Sequence, residues 1–314
     1  ITVSICIFLL SLFFTNPVHG ESQELLNVSD FLEWESAQDP QISPDGNQIV
    51  YTRRWVNKIA DRWESDLWIV NSDGSKHRFL VKGSGPKWSP DGSRIAYLAD
   101  GEPKGKQIFV LWLDSGKSTQ ITHVVKPPAD LDWSPDGKIL AFTMRTSETD
   151  EWKIDMPAKP EGASWTEEPK IVEGVYFRQD GRGFMEEGYL HLFTVPADGG
   201  TPHQLTRGKW NVGARTMGLD FGATIDWTPD GAWIIFDGLK DAANSNLYRR
   251  SHLYKIHVES GELVQITEEK GPWTGPVVSP DGNLIAFTGY PWTDQTYRAQ
   301  DLWVIGVDGT NQRI

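Results

Sequence analysis

The stretch that decides the fold is Trp88-Ser89-Pro90-Asp91-Gly92-Ser93-Arg94-Ile95-Ala96-Tyr97, a turn signal followed by an alternating apolar strand. The same Ser-Pro-Asp-Gly tetrapeptide begins at Ser43, Ser134 and Ser279, and Thr-Pro-Asp-Gly begins at Thr228. The intervals between successive copies are 46, 45, 94 and 51 residues. Repeats of about 40–50 residues built from short strands are typical of β-propeller blades. The repeat therefore predicts an all-β protein with a propeller architecture.

Each copy of the tetrapeptide, called a turn box below, is predicted to form a hairpin turn. Pro fixes φ at the first corner, Asp bonds back to nearby backbone, and Gly accepts the positive φ that returns the chain to a strand. The residues given this structural role are Pro44, Asp45, Gly46, Pro90, Asp91, Gly92, Pro135, Asp136, Gly137, Pro229, Asp230, Gly231, Pro280, Asp281 and Gly282. The Trp residues that precede three of the boxes are expected to pack between sheets.

A second repeated pattern supplies the outer half of each blade. Third strands are predicted at Asp66–Val70, Ile108–Leu111, His191–Val195, His252–Ile256 and Asp301–Ile305, and closing strands end in Gln-Ile-Thr or Gln-Leu-Thr. Two hairpins in series make a four-stranded antiparallel blade. We count five blades, with six as the alternative, and expect them to be part of an incomplete seven-bladed ring.

The double-length interval between Ser134 and Thr228 contains one blade with an insertion at about 145–189. Three prolines and mixed charge favour a surface excursion with one added hairpin near 175–184. Within it, the Gly181-x-Gly183 pair lacks the strand-to-helix context of a phosphate loop and is expected to be a turn.

Composition excludes several functions. The chain has 30 Lys and Arg against 43 Asp and Glu, a formal net charge of −13, which disfavours nucleic acid as a partner. The seven His form no metal-spaced pair, and His191 and His252 head equivalent third strands, so we expect structural roles and no metal site. No cofactor is implied.

The first twenty residues indicate export. Ile1 to Phe14 form an apolar run without charges, and Gly20 ends a plausible cleavage signal. The run is short for a bilayer span, so we expect a signal peptide over 1–20 that is clipped at its start, no membrane attachment after cleavage, and a periplasmic or secreted protein. Residues 21–37 would lead into a propeller over 38–314. Cys6, the single cysteine, lies in the removed segment.

Residues 160–208 carry a family resemblance. Tyr176, Arg178, Asp180, Gly181 and Gly183, followed by His191-Leu192-Phe193, Gly199-Gly200 and Gln204-Leu205-Thr206, resemble the corresponding region of bacterial acylaminoacyl-peptidase and dipeptidyl-aminopeptidase-like members of the prolyl oligopeptidase family. The resemblance implies that this chain is the N-terminal propeller of a serine peptidase. The α/β-hydrolase domain would follow beyond residue 314, because no Gly-x-Ser-x-Gly occurs here.

The resemblance implies a substrate-gating role for the propeller, with short peptides as substrate and no catalytic residue in this chain. Arg178 is a candidate for a substrate carbonyl or carboxylate, with a local ion pair to Asp180 as the alternative. Glu186 and Glu187 are candidates for a substrate ammonium, with a solvated loop pair as the alternative because the family's Trp-x-Tyr-Glu-Glu setting is missing. The alternative for the whole chain is a TolB-like periplasmic propeller that binds a protein partner without catalysis. The sequence does not determine the oligomeric state.

Overall fold

A computed structural model of the chain describes residues 25–146, 157–166, 177–180, 183–184, 188–214, 222–240, 249–295 and 298–314. Within these ranges the helical structure is limited to one 3-10 turn, Asp30–Leu32, and all other regular elements are β-strands. No helix in the described part of the chain has the length and apolarity needed to cross a membrane. The predicted all-β class is confirmed.

The strands form five successive antiparallel sheets, which we call blades 1 to 5. Blade 1 contains β1 (Glu35–Ile42), β2 (Gln48–Asn57), β3 (Arg62–Asn71) and β4 (Arg78–Lys82). Blade 2 contains β5 (Ser84–Trp88), β6 (Arg94–Gly101), β7 (Gly105–Trp112) and β8 (Ser118–Gln120). Blade 3 contains β9 (Pro128–Trp133) and β10 (Ile139–Thr146) and, after a small hairpin of β11 (Arg178–Gln179) and β12 (Gly183–Phe184), β13 (Tyr189–Pro196) and β14 (His203–Gln204).

Blades 4 and 5 depart slightly from the four-strand pattern. Blade 4 contains β15 (Asn211–Val212), β16 (Ile225–Trp227), β17 (Trp233–Leu239), β18 (His252–His257) and β19 (Leu263–Gln265). Both β15 and β16 pair with β17, so an excursion of the chain splits the first strand of this blade. Blade 5 contains β20 (Thr274–Val278), β21 (Leu284–Gly289) and β22 (Asp301–Gly306), and a bridge between Val304 and Arg313 begins its fourth strand.

The blades follow one another around a common axis. The first strand of each blade, here called the inner strand, contacts the inner strand of the next blade: β1 with β5, β5 with β9, β9 with β16, and β16 with β20. Later strands of each blade lie progressively farther out in the sheet. This order is the radial arrangement of a propeller. The first strand already begins at Glu35, three residues before the expected start at 38, because Glu35 pairs with Trp55 in the β1–β2 ladder.

The five turn boxes share one geometry. The Gly amide donates to the carbonyl of the first box residue at 2.8–2.9 Å, and φ at the Gly lies between +68° and +75°. The Ser or Thr hydroxyl donates to the Asp Oδ1 at 2.5–2.7 Å and accepts the backbone N–H five residues later at 2.9–3.0 Å. The hydroxyl thus closes the turn from both sides, a role that the sequence analysis did not assign.

Apolar side chains fill the space between neighbouring blades. Val50 and Leu67 of blade 1 pack with Ile95 and Tyr97 of blade 2, and three further clusters fill the spaces between blades 2 and 3, 3 and 4, and 4 and 5. Because a blade can cover the face of its sheet only against a neighbouring blade, these clusters hold the five blades together.

The indoles before the boxes add polar ties between the same blades. Trp88 Nε1 donates to the Gln41 carbonyl of blade 1, and Trp133 Nε1 donates to the Lys87 carbonyl of blade 2, each at 3.0 Å. Trp227 occupies the equivalent position in blade 4, but its buried Nε1 finds no acceptor among the described residues. The indole tie is therefore absent between blades 3 and 4.

The closing strands are shorter than predicted. They end at the Gln of the Gln-Ile-Thr or Gln-Leu-Thr pattern, and the Thr leaves the ladder. Each Thr hydroxyl then accepts a backbone N–H of the third strand: Ile108 donates to Thr122, Leu192 to Thr206, and Leu253 to Thr267, at 2.9–3.0 Å. A side chain thus replaces the last rung of each ladder.

Candidate functional site

The two ends of the propeller differ in their loops. One end carries the tight turn boxes, and the opposite end, here called the loop end, carries the connections between second and third strands. Blade 2 makes this connection with residues 102–104, whereas blades 3, 4 and 5 use 147–188, 240–251 and 290–300. Long loops on a rigid scaffold are where proteins place binding residues. The loop end is therefore the candidate functional surface.

Arg178 lies on this surface. It is exposed on β11 and pairs with Phe184 across the small hairpin that interrupts blade 3. The alternative of a local ion pair is not met, because no ion pair joins Arg178 to Asp180, both of which the structure describes. The rings of Phe177 and Phe184 lie 6.2 Å apart beside it. Glu186 and Glu187 lie outside the described residues.

A cluster of basic and aromatic side chains, which sequence reasoning missed, lies on the loops of blades 4 and 5. The Arg250 guanidinium stacks 5.3 Å from the centroid of Trp292, and Arg249 Nη1 donates to the Gln295 carbonyl at 3.2 Å. Lys240 lies 5.8 Å from the Trp210 ring. Adjacent arginines in a strongly acidic chain were the available signal, but the partner Trp292 is 42 residues from Arg250 in the sequence.

A second group of charges lies on the inner strands. Lys87, Asp132 and Asp226 occupy the same position, two residues before the box, in blades 2, 3 and 4. Burial raises the pKa of Asp132 to about 7; repulsion from Asp226 adds to the effect, and Lys87 opposes it. Asp226 is also raised by burial, and its Oδ2 accepts the Val278 amide of blade 5 at 2.7 Å.

Asp237, which is buried, and Asp130, which is half-buried, join neighbouring blades. Asp237 Oδ2 accepts the Thr274 hydroxyl of blade 5 at 2.5 Å, and burial raises its pKa to about 6. Asp130 Oδ2 accepts the Thr143 hydroxyl at 2.6 Å and the Ala223 amide of blade 4 at 3.2 Å. With their oxygens engaged by backbone and hydroxyl donors, these groups act as clamps between blades.

The histidines at the head of the third strands are built into the sheets. His191 Nδ1 contacts the Thr206 hydroxyl at 3.1 Å, and His252 Nδ1 contacts the Thr267 hydroxyl at 3.2 Å. The described residues contain no group of three or more His, Cys, Asp or Glu side chains placed to hold a metal ion. The equivalent contacts in blades 3 and 4 agree with the structural roles predicted for both residues.

A comparison with known protein families matches residues 165–290 to the dipeptidyl peptidase IV N-terminal region. The match covers the third-strand half of blade 3, all of blade 4 and the start of blade 5, including Arg178 and Arg250, and it ends two residues before Trp292. The described loop-end residues Arg178 and Arg250 thus lie within the matched residues.

Two curated relatives carry peptidase names. The chain is 28% identical over 218 residues to the uncharacterized peptidase YuxL of Bacillus subtilis, covering 68% of this chain and 31% of the relative. It is 28% identical over 257 residues to dipeptidyl-peptidase 5 of Porphyromonas endodontalis, covering 78% of this chain and 36% of the relative. The chain spans about a third of the length of these curated relatives.

Solved structures establish the propeller fold. The acylaminoacyl peptidase of Pyrococcus horikoshii is similar at a TM-score of 0.64 and 18% identity, over 88% of this chain and 39% of that one. A putative TolB from Agrobacterium tumefaciens is similar at a TM-score of 0.54 and 18% identity, over 89% of this chain and 80% of that one. Together with the family match, these findings confirm the resemblance to peptidase propellers, and the chain is a peptidase-family propeller domain.

Proposed function

We propose that this chain is the substrate-gating propeller of an exported serine peptidase that hydrolyses short peptides, of the aminopeptidase or acylaminoacyl-peptidase type. The observation that carries the proposal is the match of residues 165–290 to the dipeptidyl peptidase IV N-terminal region, on a propeller whose long loops gather at one end. Two relatives with peptidase names support it.

The shape of the fold supports the proposed gating role. A propeller surrounds its axis with inner strands, so a chemical centre facing one end is reached through the ring or through loops at its rim. Short or unfolded peptides fit such a path, whereas a folded protein does not. The catalytic Ser, Asp and His would lie in a hydrolase domain outside this chain.

The experiment uses the longest reading frame that contains this chain. The purified product is assayed with a chromogenic dipeptide amide and with a folded protein that bears the same scissile sequence. We expect hydrolysis of the dipeptide, covalent labelling by a fluorophosphonate serine reagent, and a kcat/KM at least about tenfold lower for the folded protein. The 314-residue chain alone is the matched control and should show no turnover. A product that neither hydrolyses peptides nor reacts with the reagent would overturn the proposal.

A second candidate function is favoured by the similarity to the putative TolB, which extends over 80% of that chain. In this case the propeller would bind a protein partner without chemistry, again outside the cytoplasm. The same assay separates the two candidates, because a TolB-like protein would show neither hydrolysis nor serine labelling. Export is tested separately, by fractionating cells and by sequencing the N-terminus of the mature protein near Glu21.

A further inference from the structure

Arg250 combines three features that no other arginine among the described residues combines. Its guanidinium is stacked on Trp292, it lies at the loop end where blades 4 and 5 meet, and its Nε is buried without a hydrogen-bond acceptor among the described residues. A buried donor without an acceptor is costly. Sites of this kind are commonly completed by a ligand or a bound water.

No carboxylate of the described residues neutralises the charge of Arg250. Three other arginines pair with carboxylates, Arg53 with Glu35, Arg62 with Glu64, and Arg94 with Asp198, whereas Arg54 and Arg178 make no ion pair among the described residues. Within the described residues no carboxylate pairs with Arg250, although acidic residues exceed basic ones in the chain. Arg249 is the neighbour of Arg250 in the sequence and contacts the blade 5 loop, whereas Lys240 lies over Trp210, which packs between blades 3 and 4. Two consecutive guanidinium groups, those of Arg249 and Arg250, thus lie where the loops of blades 4 and 5 meet.

The loops hold this site in a fixed shape. The Trp292 amide donates to the Lys270 carbonyl at 2.7 Å, and the neighbouring Ser251 hydroxyl, fully buried, donates to the Trp273 carbonyl at 2.9 Å. Arg249 Nη1 fastens the blade 4 loop to the Gln295 carbonyl of the blade 5 loop. A guanidinium that is already held against an aromatic face loses little further freedom when it binds a planar anion.

We propose that Arg250, stacked on Trp292 at the loop end of blades 4 and 5, binds a carboxylate group of a peptide. A guanidinium offers two parallel N–H groups that match the two oxygens of a carboxylate, and such bidentate pairs are short and charge-assisted. The inference deepens the proposed function, on which its peptide ligand rests. The carboxylate comes either from the free C-terminus of the peptide or from an acidic side chain within it.

The test measures binding of capped peptides to the 314-residue chain by ligand-observed NMR. The probes are acetyl-Ala-Ala-Ala with a free C-terminus, the same peptide as its C-terminal amide, and acetyl-Ala-Glu-Ala-amide. We expect at least one of the two carboxylate peptides to bind about tenfold more tightly than the neutral amide. Tight binding of the free acid identifies the C-terminus as the source, and tight binding of the Glu peptide identifies the side chain.

The variant Arg250→Gln should abolish this preference and leave binding of the neutral amide unchanged. Arg250→Lys, which keeps the charge without the forked geometry, should retain part of the preference. The matched control is Arg54→Gln, because Arg54 stacks on Trp63 at 4.3 Å without a buried unpaired nitrogen. It should leave the preference intact. Thermal melts establish that each variant is folded. If Arg250→Gln does not fold, the carboxylate preference of Arg250→Lys is compared with that of the parent instead.

Two outcomes would overturn the inference: equal binding of all three peptides, or a carboxylate preference that survives in both Arg250 variants. Neither outcome depends on catalysis. An inactive longer product together with a carboxylate preference would remove the proposed function and keep the binding site. An active peptidase whose propeller has no carboxylate preference would keep the proposed function and remove the binding site.

Discussion

The pKa of aspartate is shifted in opposite directions in this fold, depending on where the residue lies in the repeat. In the exposed turn boxes, hydroxyl and amide donors stabilise the carboxylate and lower its pKa, to about 2 for Asp91 and Asp281. On the inner strands, burial disfavours the charge and raises the pKa, to about 7 for Asp132. The turn boxes thus favour the ionised form of aspartate, whereas burial on the inner strand favours the protonated form.

The buried carboxylate makes stability depend on pH. An unfolded Asp titrates near 3.8 while folded Asp132 titrates near 7, so the folded state binds more protons between these values and the free energy of unfolding falls as the pH rises through this window. We predict that Asp132→Asn melts about 2 °C higher than the parent at pH 8, with a smaller difference at pH 5. Melting curves followed by circular dichroism at both pH values measure this.

Asp136, in the turn box of the same blade, is the matched control. The Ser134 hydroxyl lowers its pKa, so its contribution is present above the unfolded pKa and is lost as the pH falls. Asp136→Asn should therefore melt lower than the parent at pH 8 and approach it in acid. If both variants shifted in the same direction at pH 8, the assignment of opposite states would be wrong.

At the scale of the element, each blade is a sheet that its neighbours must cover, and the ties between neighbours are not equivalent. Indoles tie blade 1 to blade 2 and blade 2 to blade 3. Between blades 3 and 4 the Trp227 indole has no acceptor among the described residues, and the Asp130 carboxylate reaches the Ala223 amide instead. The excursion that splits the inner strand of blade 4 accompanies this change.

Two Trp to Phe substitutions measure what one indole tie contributes. Trp133 and Trp227 are 5% and 4% exposed, so both substitutions remove a similar buried ring portion. Trp133→Phe also loses the bond from Nε1 to the Lys87 carbonyl, whereas Trp227→Phe removes an unpaired donor. We predict that Trp133→Phe lowers the free energy of unfolding by about 1 kcal/mol more than Trp227→Phe. Denaturant titrations give the comparison, and equal losses would argue against a stabilising tie.

At the scale of the whole molecule, the first and last blades, blades 1 and 5, each leave one face of the sheet uncovered by another blade. On blade 1, Ile42 and Phe79 lie on the face turned away from blade 2 and are 67% and 47% exposed. On blade 5, Leu302 and Val277 lie on the face turned away from blade 4 and are 63% and 56% exposed. Inner blades bury the equivalent positions, for example Trp133. Apolar faces of this kind promote association.

We therefore predict that the 314-residue chain self-associates in a concentration-dependent manner. The double variant Ile42→Lys, Leu302→Lys places a charge on each uncovered face and should raise the dissociation constant about tenfold or more. Sedimentation velocity over a range of concentrations measures both. Ile59→Lys is the control, because Ile59 is fully exposed at a hairpin tip outside these faces, and an equal effect of this change would show that the faces are not responsible.

The sequence by itself determined the blade. Turn chemistry is local: Pro, Asp and Gly within four residues fix a hairpin wherever they occur, and the strands on either side alternate as a half-covered sheet requires. The box turns, the third strands and the number of blades could therefore be read from one chain. The closing strands were predicted too long. The Thr two residues after each Gln leaves the ladder, and its hydroxyl accepts a third-strand amide, a bond that depends on the folded sheet.

Only the tertiary structure decided which side chains meet. Lys87, Asp132 and Asp226 come from three blades and approach one another because the inner strands converge on the axis. Arg250 and Trp292 come from separate loops and stack because blades 4 and 5 dock side by side. Burial and charge at these places depend on how sheets pack around the ring, and residues far apart in the chain supply the partners. A local pattern fixes the turn, and packing between blades fixes the site.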